Sequence, residues 1–159
     1  MATTAAEARF RVDAPIRGQR ATRVVALDES ATAVMRRVAE QTWGGARFYS
    51  YEARPHSVET DAELADIVLR TMDGAEARLS EELADADAMV MIATADDGAE
   101  AASAIGNACT LRGIMTAGLI LGDGREAGAA VMALRPHARV LMRSTGEHDV
   151  ADVLTALRA

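Results

Sequence analysis

The sequence predicts a single α/β domain built on a mostly parallel sheet. Three observations carry this. Short, uninterrupted apolar runs recur along the chain, as buried parallel strands require. Segments with helical apolar spacing separate them. The length of 159 residues is that of one domain and suffices for one real core.

The first apolar run is residues 23–27 (RVVAL), short and β-branched. Asp28-Glu29-Ser30 follows, a capping residue with first-turn acids. Val34, Met35, Val38 and Trp43 then give a helical spacing that Gly44-Gly45 ends. Residues 47–51 (RFYSY) read as a second, aromatic strand at the sheet edge. Thr60 opens an amphipathic helix through Leu64, Ile67, Val68 and Met72, stopped at Gly74. A further helix spans residues 75–85, with Leu79 and Leu83 on one face. Residues 88–93 (AMVMIA) form a central strand.

From there the alternation is regular. An alanine-rich helix covers residues 98–112, a strand 114–121, a helix 125–135 stopped by Pro136, and a strand 139–143. Ser144-Thr145-Gly146-Glu147 has capping-box spacing, and the last helix carries Val150, Val153, Leu154 and Leu157. Five strands alternating with helices give a three-layer, Rossmann-like domain over residues 21–159, with sheet order 2-1-3-4-5 and helices on both faces. Residues 1–20 read as an N-terminal tail without the apolar stretch of a signal peptide.

Composition narrows the function. The net charge of −7 argues against nucleic acid and anionic membranes as partners. No stretch is long and apolar enough to span a membrane, so the expected location is cytoplasmic. All 17 basic residues are arginine. A P-loop lysine, a Schiff-base lysine and a lysine general base are therefore excluded. Cys109 is the only cysteine. It falls in a predicted helix and reads as a buried structural thiol. His56, His137 and His148 fit no metal-ligand spacing. The surroundings of Ser30 and Ser103 lack the Gly-x-Ser-x-Gly turn of a nucleophile.

Ligands of such sheets sit at the carboxyl ends of the strands, where the strand order reverses. Here that point brings Asp28, Glu29, Asp96, Asp97 and Asp123 toward one edge. A phosphate wants glycines and free backbone N–H groups instead, and the first loop has no glycine. Two readings of the acids stand. Each carboxylate caps a helix; or Asp28, Asp96 and Asp97 hold a Mg2+-like cation. The second placement resembles phosphoacceptor receiver domains, which also use a lysine that this chain lacks. Ser30, Thr32, Thr94 and Gly98 are the candidate contacts of a small ligand at the same point. Trp43, Tyr49 and Tyr51 are candidate anchors for a protein partner, and strand alternation puts Phe48 on the face opposite Tyr49 and Tyr51.

Residues 83–93 (LADADAMVMIA), an acidic helix end leading into an apolar strand, resemble the nucleotide-binding domain of the bacterial tubulin FtsZ. The helix at 98–112, the strand after Gly113 and the strand around residues 137–143 (HARVLMR) continue the resemblance. The phosphate loops depart from it: Asp28-Glu29-Ser30-Ala31-Thr32 stands for the glycine-rich first loop. Ala95-Asp96-Asp97-Gly98-Ala99-Glu100 stands for the glycine-threonine signature, with only Gly98 matching in kind. The chain also stops before the family's central helix and second domain. The resemblance implies a non-catalytic interaction or regulatory module without a cofactor that has lost nucleotide binding and acts on a protein partner or itself. The alternative is a small enzyme or phosphoacceptor using a divalent cation.

Overall fold

The computed structural model describes residues 18, 20–52 and 67–159. Its sheet has strands β1 (Thr22–Ala26), β2 (Ala46–Tyr51), β3 (Val68–Thr71), β4 (Glu76–Arg78), β5 (Ala88–Ala93), β6 (Met115–Leu121) and β7 (Val140–Ser144). The helices are α1 (Glu29–Ala39), α2 (Leu79–Ala84), α3 (Ala99–Leu111), α4 (Gly128–Leu134) and α5 (Glu147–Ala156). The strand order is β4-β3-β2-β1-β5-β6-β7.

The five expected strands are present and parallel, but among the described residues the sheet has seven strands and a longer order. The difference is an antiparallel hairpin, β3-β4, added beyond β2. It replaces the C-terminal part of the helix expected from Thr60 and the start of the one expected at 75–85. Residues 60–66 lie outside the described residues. Gly74, read above as a helix stop, lies with Asp73 in the hairpin turn. Gly74 adopts φ +90°, a conformation that suits glycine. The Gly74 N–H donates to Thr71 O at 3.0 Å, and Thr71 N–H to Ala75 O at 2.9 Å. With the hairpin in place β2 is an interior strand, and Tyr49 and Leu69 are buried.

The helices form two layers. Leu79 and Leu83 of α2, Ile105 and Cys109 of α3 and Leu134 of α4 pack on one face with Val25, Tyr49, Met89 and Met91. Met35 and Val38 of α1 and Val150 and Leu154 of α5 pack on the other with Val24, Val90, Ile92 and Leu119. Strand β5 is buried over its whole length, as an apolar run between two helix layers must be. Gly118 lets α4 settle closely: a Cβ there would lie 2.8 Å from Leu141 Cδ1 and 3.2 Å from Leu134 Cδ1. Among the described residues no helix is long and apolar enough to cross a membrane.

Candidate functional site

The strand order reverses between β1 and β5, so the loops that follow them meet at the carboxyl edge of the sheet. The backbone there is tightly apposed. The Leu27 N–H donates to Ile92 O at 2.8 Å. Gly98 sits so close to Leu27 that a Cβ would fall 2.5 Å from both Leu27 Cβ and Leu27 O. Gly98 is therefore a packing glycine at the loop junction, which accounts for the one position matching in kind above.

Asp28 organises this junction. It is the N-cap of α1, with extended backbone (φ −145°, ψ 170°), and it is 7% exposed. Its Oδ1 accepts the Ala31 N–H at 2.8 Å and the Thr94 hydroxyl at 2.5 Å. Its Oδ2 accepts the Thr94 N–H at 2.6 Å and the Ala95 N–H at 3.1 Å. Four donors from two loops thus converge on one carboxylate. These are the donors that a bound phosphate would need from a helix N-terminus and a neighbouring loop. Thr32 is turned back as well, its hydroxyl donating to Asp28 O at 2.8 Å. Ser30 is exposed on the first turn of α1. Of the four candidate ligand contacts, Thr32, Thr94 and Gly98 are held in structural contacts.

The other acids are spread along the edge. Asp96 Oδ1 accepts the N–H groups of Ala129 (2.7 Å) and Ala130 (3.0 Å) in the first turn of α4. Helix α4 has Ala127 at its own N-cap and no side-chain cap of its own, so the preceding crossover loop supplies it. Asp123 Oδ1 accepts the Arg125 N–H at 3.1 Å. Asp97 is exposed. The expected cation trio is thus not assembled: Asp28 and Asp96 face different helix ends. Among the described residues no group of three His, Cys, Asp or Glu side chains is placed to hold a metal ion.

The aromatic anchors do not form an exposed patch. Trp43 donates its indole N–H to Val38 O at 2.8 Å and packs on Phe48 with ring centroids 6.3 Å apart. Tyr49 is buried beneath α2, with its hydroxyl donating to Glu82. Burial, followed by the hydrogen bond to Glu82, pushes its pKa up to about 12. Tyr51 is half-buried, and burial followed by the nearby Glu100 charge raises its pKa. Phe48 does lie on the face opposite Tyr49 and Tyr51. Of the three candidate anchors Tyr49 is buried, while Trp43 and Tyr51 are half-buried on opposite faces of the sheet.

Cys109 is buried, and burial pushes its thiol pKa up to about 11, which fits an inert thiol. His137 packs against Gly106 and lies 3.0 Å, Nδ1 to Oγ1, from Thr110. His56 lies outside the described residues.

Sequence reading missed a polar cluster at the opposite, amino-terminal end of the strands. Arg23 and Arg47 are register partners on the parallel pair β1-β2. Glu82 of α2 stands between them, 3.2 Å from Arg23 Nε and 3.6 Å from Arg47 Nη1. Arg23, a charged residue at the head of the apolar run of β1, is the available signal, since a buried charge requires a partner.

No protein-family model matches the chain, and no curated protein matches it.

Proposed function

We propose that the chain is a non-catalytic interaction or regulatory module, an FtsZ-like α/β domain whose phosphate seat is filled by its own carboxylate. The observation that carries this reading is Asp28. A carboxylate buried at the N-terminus of α1 takes the Ala31, Thr94 and Ala95 N–H groups. A phosphate brought to the same place meets a negative charge and donors already in use. The resemblance along residues 83–143 and the mostly parallel sheet support the FtsZ-like part of the reading.

The contact surface that best fits such a module is the β7 edge. Among the described residues strand β7 pairs with β6 alone, leaving a row of backbone groups for strand addition. Val140 and Met142 are exposed along it, between Arg139 and Arg143, which are exposed too. Antiparallel pairing of two β7 strands about Leu141 sets Arg139 opposite Arg143, and like charges in that position repel. Charge complementarity therefore favours an extended partner segment with acidic residues flanking apolar ones.

A thermal-shift panel of GTP, ATP, FMN and NAD, each with and without magnesium, tests the loss of nucleotide binding. A ligand at about a hundred times its dissociation constant adds roughly 2.7 kcal/mol to stability. The proposal expects no shift with any of them, and a magnesium-dependent nucleotide shift overturns it.

A further inference from the structure

We propose that the cleft at the amino-terminal ends of β1 and β2 binds a small carboxylate through Arg23 and Arg47. The cleft has a volume of about 470 Å3 and is lined by Ala21, Arg23, Gly44, Gly45, Ala46, Arg47 and Asp85. This is the end of the sheet opposite the Asp28 junction, so the proposal is independent of the reading given above.

Arg23 is 4% exposed. Its Nε donates to Glu82 O at 3.1 Å and lies 3.2 Å from Glu82 Oε2. Among the described residues its Nη1 and Nη2 have no hydrogen-bond partner. Yet no enclosed side-chain nitrogen or oxygen among those residues lacks a partner. The two terminal nitrogens therefore open onto the cleft that Arg23 lines. Glu82 occupies the Nε side of the guanidinium, and the Nη1–Nη2 end is left as a fork. That fork matches the two oxygens of a carboxylate.

Arg47 provides the second charge. It is the register partner of Arg23, exposed, and shares Glu82 with it. Two guanidiniums against one shared carboxylate leave room for a further anion. Asp85 on the cleft wall limits how much negative charge the site accepts. It disfavours a polyphosphate and leaves a small carboxylate as the best match.

The test titrates the full chain with sodium succinate at fixed ionic strength, following backbone amide shifts by NMR. Sodium phosphate, sodium triphosphate and sodium chloride are run in parallel. Saturable succinate shifts confined to residues 21–23, 44–47 and 85 are expected, with chloride producing none. Arg47→Gln, at an exposed position that leaves the fold intact, should weaken succinate binding about tenfold, the loss expected for one charge-assisted contact. Arg23→Lys keeps the charge, loses the fork and should weaken it by at least as much. Shifts that do not saturate, or an Arg47→Gln chain that binds as tightly as the parent, overturn the proposal. Tighter binding of phosphate or triphosphate than of succinate overturns the carboxylate assignment.

Discussion

Asp28 and Thr94 are joined twice across the parallel β1-β5 pair. Thr94 donates both its backbone N–H (2.6 Å) and its hydroxyl (2.5 Å) to the Asp28 carboxylate. The bond links two loops 66 residues apart in sequence at the point where α/β sheets ordinarily bind ligand. Removing the carboxylate leaves an uncapped helix and three more donors without their acceptor. Asp28→Ala should therefore destabilise the chain by about 3 kcal/mol. Thr94→Val, which removes only the hydroxyl, should cost about 1 kcal/mol. Urea unfolding measures both, and equal losses for the two variants would contradict the dominant role given to Asp28.

Gly98 is required by space. A methyl group there meets Leu27 Cβ and Leu27 O at 2.5 Å, and Asp28 ties the two loops together so that neither backbone yields freely. Gly98→Ala should lower stability by about 2 kcal/mol as an overpacking substitution. A neutral result in urea unfolding would show that the loops are less tightly joined than described.

At the other end of the sheet, Glu82 keeps the Arg23–Arg47 pair tolerable. Glu82 is 17% exposed. Glu82→Gln keeps the shape, removes the countercharge and leaves two arginines side by side. The expected cost is about 3 kcal/mol, reduced in high salt where the exposed Arg47 is screened. A loss insensitive to salt would contradict this electrostatic account.

Alkaline pH should destabilise the protein in a defined window. The Cys109 thiol rises from 9.0 to about 11 and the Tyr49 hydroxyl from 10.0 to about 12 on folding. Both groups stay neutral in the folded chain while the unfolded chain gives up its protons. Their contribution is complete below about pH 9 and is lost between pH 9 and 12. Tyr49→Phe should flatten the upper part of that decline, while costing about 1 kcal/mol near neutrality through the donor lost to Glu82. Unfolding curves recorded from pH 7 to 12 read both effects. An unchanged alkaline slope in Tyr49→Phe would contradict the assignment.

The parallel framework was legible because residues 88–93 and 115–121 are apolar runs buried between two helix layers, a pattern that few other environments produce. The hairpin was not, because Val68–Thr71 is only four residues long. Ile67, Val68 and Met72 also satisfy helical spacing, and over so short a span the two periods are hard to separate. Asp73-Gly74 held the turn signal. Without the hairpin β2 is an edge strand, and with it Tyr49 lies in the core. The capping of α1 by Asp28 could be read from local sequence, but its reach to Thr94 and Ala95 could not. Such bonds follow from the apposition of β1 and β5.

The most direct test of the central claim observes the donors themselves. Backbone amide resonances of Ala31, Thr94 and Ala95 are recorded with and without millimolar GTP and magnesium, and their hydrogen exchange is measured in both states. With Asp28 holding these N–H groups, the resonances stay in place and the amides remain protected regardless of nucleotide. Saturable, magnesium-dependent movement of all three would show that a phosphate displaces the carboxylate, and the account of a filled seat would fall.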